Sequence, residues 1–257
     1  MAFLDLPTHR LHYRVDGDAG PWLVFCNSLG TDLHMWDAQV EALSTRFRVL
    51  RYDRRGHGQS TAAPGPYTLA DLGGDVLALM DALEIERAHF CGLSIGGLVG
   101  QWLGIHAPER IERLVVCATA VKIGTAESWN QRIALVQDKG LTPLLDATAD
   151  RWFTPDFIAA NPGVVKDILA RFAAVSAEGY AGCCAALAGA DLGADIGRIT
   201  VPVLAISGDD DPVCTPDDLQ AIADGVADGR HLSLPGRHIV NIESAGAFSS
   251  ALADFMT

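Results

Sequence analysis

The sequence predicts an α/β fold with a mostly parallel central sheet, helices on both faces and an inserted helical segment. Three observations carry this expectation. Short runs rich in Val, Leu, Ile and Phe alternate with longer helix-like stretches through most of the 257 residues. Most of the runs lack strict polar alternation, as expected of strands covered by helices on both sides. The alternation then stops between Val121 and Asp195, where tryptophans, prolines and helical patterns run on without a clear strand.

Taken in order, the stretch from His9 to Asp16 is expected to form a hairpin. Strands follow at WLVFCN (22–27), RVLRYD (48–53), AHFCG (88–92), RLVVCA (113–118), PVLAIS (202–207) and RHLSL (230–234). Between them, 33–44, 69–83, 97–106, 216–227 and 244–256 read as helices. The chain thus divides into a core, 1–120 and 196–257, and a helical cap, 121–195, inserted in it. Ligands of open α/β sheets sit beyond the carboxyl ends of the strands, so a cap placed there would roof the site and select the substrate.

Composition narrows the function. At 49% hydrophobic and 20% charged, the chain has apolar material for one large core. A net charge of -13 makes nucleic acid a poor partner, and an anionic substrate would need a local cation. No apolar stretch reaches the roughly 18 residues of a membrane helix, and MAFLDLPTHR lacks a signal-peptide pattern, so a soluble cytoplasmic protein without a membrane partner is expected. The six cysteines, without CxxC spacing, read as reduced and structural. No His/Cys/Asp/Glu set has metal spacing and no GxGxxG is present, so neither metal nor other cofactor is expected. A monomer or small homo-oligomer is compatible with the composition.

The sharpest chemical signal is Gly92-Leu93-Ser94-Ile95-Gly96, between a strand and a helix. A serine forced into such a turn is strained, and glycines two residues away on each side remove side chains that would collide. Ser94 is the candidate nucleophile. It needs a base, and His238, in the loop after the last predicted strand, follows in the order serine, acid, histidine. The acid belongs after the preceding strand, in Ser207-Gly208-Asp209-Asp210-Asp211-Pro212. Asp211, held between a turn glycine and a proline, is preferred, with Asp210 in reserve. A tetrahedral oxyanion requires two backbone N–H donors, here Ile95 and, from Cys26-Asn27-Ser28-Leu29-Gly30, Leu29, with Asn27 or Ser28 able to add a side chain. The segment Asp53-Arg54-Arg55-Gly56-His57-Gly58-Gln59-Ser60 reads as a structural turn, with Asp53 bonding its own backbone.

Together these residues resemble the α/β-hydrolase family over nearly the whole chain. Within it, CNSLGTDLHMWD (26–37), GTAESWNQRI (124–133), RWFTPDF (151–157), GYAGCCAALAGADL (179–192) and HIVNIES (238–244) resemble the enol-lactonase subgroup, enzymes of bacterial aromatic degradation. One departure is Asn27-Ser28 where many family members have His-Gly. The resemblance implies a small-molecule partner, a five-membered enol-lactone carrying a carboxymethyl arm, opened to 3-oxoadipate in the β-ketoadipate pathway. For that carboxylate the cap offers Lys122, Arg132 and Arg151 beside Trp129 and Trp152, and Arg132 or Trp129 is expected to touch it. A broad carboxylesterase, a cofactor-free perhydrolase on the same triad, or a ligand sensor that keeps the triad are the competing readings.

Overall fold

A computed structural model describes residues 2–257. Its strands are β1 (Ala2–Asp5), β2 (Arg10–Asp16), β3 (Trp22–Cys26), β4 (Arg48–Tyr52), β5 (Ala88–Leu93), β6 (Ile111–Cys117), β7 (Val203–Gly208) and β8 (Gly229–Leu234). They form one sheet in the order β1-β2-β4-β3-β5-β6-β7-β8. From β4 to β8 every pairing is parallel, while β1 and β2 join one edge antiparallel. Every residue of β5 and β7 is buried, which is why their sequences read as unbroken apolar runs.

The N-terminal hairpin differs from expectation. His9 to Asp16 holds only its second strand, and the first is Ala2–Asp5, paired with it from Ala2↔Tyr13 to Asp5↔Arg10. The turn residues, Pro7 and Thr8, therefore precede the run that carried the signal.

The core helices are α1 (Asp37–Leu43), α2 (Leu69–Ala82), α3 (Ile95–His106), α9 (Pro216–Gly225), α10 (Val240–Glu243) and α11 (Ala245–Phe255). Between β6 and β7 lie α4 (Ala126–Lys139), α5 (Leu145–Trp152), α6 (Pro155–Ala160), α7 (Pro162–Ala173) and α8 (Ala177–Gly189). Many of these helices start at a hydroxyl cap. Thr68, Thr125 and Thr215 each accept the amide three residues on, and that residue's side chain returns to the cap amide. Among the described residues no single helix is long and apolar enough to cross a membrane.

Chain direction positions the site. The β3–α1–β4 crossover runs toward one edge of the sheet, whereas the crossovers from β4 onward run toward the other. Because such crossovers are right-handed, α1 lies on the opposite face from α2 and α3, with α11 packed beside it. The reversal makes the carboxyl ends of β3 and β5 a topological switch point, where a crevice opens between diverging connections.

Candidate active site

Cys26 of β3 stands beside Gly92 of β5, so the segments leaving these two strands are neighbours. Ser94 is the first residue beyond β5 and the cap of α3, with φ 60 and ψ -119. The surroundings hold this strained backbone. Its amide donates to the Cys117 carbonyl at 2.8 Å, and its carbonyl accepts the Gly97 and Leu98 amides at 2.8 and 3.1 Å. The flanking glycines have steric reasons: a Cβ on Gly92 would strike the Gly96 carbonyl, and one on Gly96 would strike the Cys26 carbonyl. Only glycine at 96 lets the start of α3 rest against the loop after β3. Ser94 is 7% exposed.

Asp211 and His238 leave the carboxyl ends of β7 and β8 on the same edge of the sheet. The His238 Nδ1–H donates to Asp211 Oδ2 at 2.9 Å. The other carboxylate oxygen, Oδ1, accepts the Val213 and Cys214 amides at 2.8 and 3.2 Å, so the acid is fixed before it meets the imidazole. Asp211 and His238 are 4% and 3% exposed. The neighbouring acids are committed elsewhere: Asp209 accepts the Gly236 amide at 3.0 Å, and Asp210 pairs with Arg237 Nε at 2.7 Å. With Nδ1 engaged, Nε2 is the nitrogen left to take a proton from a nucleophile. Ser94 shares the sheet edge with this pair without a direct hydrogen bond to His238 among the described residues; such contacts often tighten only around substrate.

The loop after β3 has its polar groups assigned almost completely. The Ser28 amide points at Met35 Sδ (3.4 Å) and the Gly30 amide donates to His57 Nε2 (3.1 Å). Among the described residues the Leu29 amide between them meets no acceptor. The Asn27 side chain ties the loop to its neighbours: its Nδ2 donates to the Tyr52 carbonyl at 2.8 Å, and its Oδ1 accepts Trp36 Nε1–H at 2.9 Å. Ile95, as the first residue of α3, likewise has no intrahelical partner for its amide.

The segment from 53 to 60 does more than turn the chain. Asp53 accepts the Gln59 amide at 2.9 Å, as its sequence suggests, but also the Leu33 amide at 2.8 Å and His12 Nδ1–H at 2.7 Å. Arg54 and His57 reach the loop after β3. A glycine-rich turn gave no sign of those long-range contacts.

The segment containing α4 to α8 is tied to the histidine loop. The Ile239 amide donates to the Trp152 carbonyl at 3.1 Å, and Glu243 Oε1 accepts the Thr154 amide and hydroxyl at 2.9 and 2.7 Å. Lys122 pairs with Asp191 at 3.1 Å. Arg132 and Arg151 form no ion pair with a carboxylate among the described residues. Burial, followed by the charge of Arg132, lowers the pKa of Arg151, so the two cations are neighbours. Arg132 lies 5.1 Å over the Trp129 ring, whose Nε1–H donates to the Ile123 carbonyl at 2.6 Å. A cleft of about 260 Å³ is lined by Thr31, Ile168, Arg171 and Ile239 among others; it borders the loop after β3 and the residue after His238, though not Ser94 itself.

Comparison with known proteins identifies the family of the chain. Residues 21–152 match the family model described as the alpha/beta hydrolase fold. The chain is 46% identical to 3-oxoadipate enol-lactonase 2 of Acinetobacter baylyi, over 96% of this chain and 92% of that one. It is 40% identical to 3-oxoadipate enol-lactonase 1 of the same organism, with the same coverage. The crystal structure of the enol-lactonase from Burkholderia xenovorans LB400 superposes with a TM-score of 0.97 at 46% identity, covering 99% of each chain. The chain belongs to the α/β-hydrolase family.

Proposed function

We propose that this protein hydrolyses 3-oxoadipate enol-lactone to 3-oxoadipate, a step of the β-ketoadipate pathway, in the cytoplasm and without a cofactor. The observation that carries the reading is the buried Asp211–His238 pair on the sheet edge that bears Ser94, in a chain 46% identical to an enol-lactonase over nearly its whole length. In this reading His238 Nε2 removes the Ser94 proton as Oγ attacks the lactone carbonyl. Leu29 and Ile95 amides hold the oxyanion; losing one such donor costs about 3 to 4 kcal/mol. Asp211 keeps the imidazole in the required tautomer and stabilises the imidazolium without taking its proton.

As the tetrahedral adduct collapses, the ring C–O bond breaks and His238 returns its proton to the departing enol oxygen. The enol becomes the 3-oxo group, which removes the nucleophile that could re-close the ring. Water, deprotonated by His238, then attacks the acyl-enzyme, releases the second carboxylate of the product and restores the serine.

Residues 121–195 act as a cap over this chemistry. The carboxymethyl arm is an anion in a protein of net charge -13, and Arg132, with Arg151 beside it, is the cation that receives it, while the Trp129 ring supports Arg132 from below. Steady-state kinetics over a substrate panel test the assignment. The expected result is a kcat/KM for the enol-lactone at least about 100-fold above that for p-nitrophenyl acetate, with Arg132→Ala raising KM for the lactone alone. A preference for the acetate would make the protein a general esterase.

A further inference from the structure

The turn from 53 to 60 delivers two buried side chains to the loop that carries Leu29. Arg54, 1% exposed, donates from Nη1 to the Ser28 carbonyl at 3.3 Å and from Nη2 to the Asn27 carbonyl, with Cys26 Sγ at 3.5 Å. Among the described residues it has no carboxylate partner, and its Nε meets no acceptor. A buried cation left without a counter-ion is costly, and here its contacts are the Cys26 sulfur at the end of β3 and two carbonyls of the loop that follows.

The peptide units explain the arrangement. The Ser28 carbonyl and the Leu29 N–H belong to one planar amide. Its oxygen is held by Arg54 and by the Thr31 hydroxyl at 2.9 Å. The next amide presents the Gly30 N–H to His57 Nε2 at 3.1 Å. His57 Nδ1–H in turn donates to the Arg55 carbonyl at 3.2 Å, which fixes the tautomer and leaves Nε2 as acceptor. Both planes flanking the Leu29 Cα are thus pinned from a single turn. The second candidate donor repeats the device: the Ser94 carbonyl, on the same amide as the Ile95 N–H, accepts the Thr119 hydroxyl at 2.8 Å.

We propose that Arg54 and His57 are positioning residues of the oxyanion hole: Arg54, bonded to the Ser28 carbonyl, polarises the Leu29 N–H across the same amide, and His57 locks the plane that follows. This rests on Leu29 and Ile95 being the oxyanion donors. Drawing electron density toward Arg54 makes the opposite N–H a stronger donor, and the effect is largest against a full negative charge in a dry site. Burial, and after it the charge of Arg54, holds the His57 pKa down at about 3, so the imidazole remains a neutral acceptor at working pH.

The test compares enol-lactone kinetics with inhibition by n-butylboronic acid, whose boron bonds to a serine Oγ and places an anionic oxygen in the hole. Arg54→Met and His57→Leu are expected to lose about 10- to 100-fold in kcat with KM within about threefold, and the boronate Ki is expected to rise by the same factor. Arg54→Lys and His57→Gln, which keep a cation and an acceptor, recover most of both. Thermal unfolding identifies the folded variants, and if Arg54→Met does not fold, Arg54→Lys and the two His57 variants decide. A folded Arg54→Met or His57→Leu with unchanged boronate affinity overturns the inference while leaving the triad reading intact. Wild type insensitive to the boronate, or an active Ser94→Ala, removes the triad reading and this inference with it.

Discussion

Asp211 illustrates how one side chain is selected from three in the run Asp209-Asp210-Asp211. The backbone leaving β7 turns so that the Val213 and Cys214 amides converge on Asp211 Oδ1, which leaves Oδ2 aimed at the imidazole. Asp210 faces outward to Arg237, and an exposed pair of that kind contributes little. Asp211→Asn is therefore expected to lower kcat by about 10⁴-fold, because the amide favours the wrong imidazole tautomer. Asp210→Asn is expected to stay within about threefold, as measured by steady-state kinetics. The strained strand-to-helix turn at Ser94 was legible from its flanking glycines and its position between an apolar run and a helical pattern. The turn glycine and the proline favoured Asp211 over Asp210, but the amide directions that fix its carboxylate are not encoded in letters, and neither are the contacts of Arg54 and His57 to residues 27 to 30.

Among the elements, the docking of α8 on the core shows a dependence invisible in sequence. Gly179 in its first turn meets Gly56 backbone to backbone, and a Cβ on either would overlap the other. Gly179→Val is expected to destabilise the fold by about 1 to 3 kcal/mol in urea unfolding, since the neighbour is backbone and cannot rotate away. The same turn carries Arg54 and His57, so enol-lactone kcat falls with it. An unchanged midpoint and kcat would show that the contact relaxes freely. The central parallel strands were readable because burial on both faces makes them continuously apolar, and α2, α9 and α11 because their periodicity runs with the core. The paths of α4 to α8 were not readable, because their packing depends on tertiary partners such as the Trp152–Phe172 and Phe172–Tyr180 ring contacts, 5.5 and 5.7 Å between centroids. The N-terminal strand was missed for a related reason: its burial alternates, but over four residues only.

Across the whole molecule, the buried neutral His57 links stability to pH. Unfolded, this side chain protonates below about 6.5, its ordinary value; folded, it stays neutral down to about 3 because burial and the facing Arg54 guanidinium oppose the charge. Between those values the unfolded chain binds the extra proton, so stability falls as pH falls, by about 1.4 kcal/mol per pH unit from this group. Urea unfolding at pH 7.5 and 5.5 is expected to show wild type losing more stability than His57→Gln; equal losses would mean that His57 is not the group responsible. The proposed catalytic assembly is likewise a property of the whole sheet, since Leu29, Ser94, Asp211 and His238 follow four different strands that share one carboxyl edge. Loss of enol-lactone ultraviolet absorbance, followed with wild type and Ser94→Ala at equal concentration, asks whether that edge performs the reaction. Rapid turnover by wild type and a drop of about 10⁴- to 10⁶-fold in the folded alanine variant is the expected result. An alanine variant that opens the lactone at the wild-type rate would contradict it.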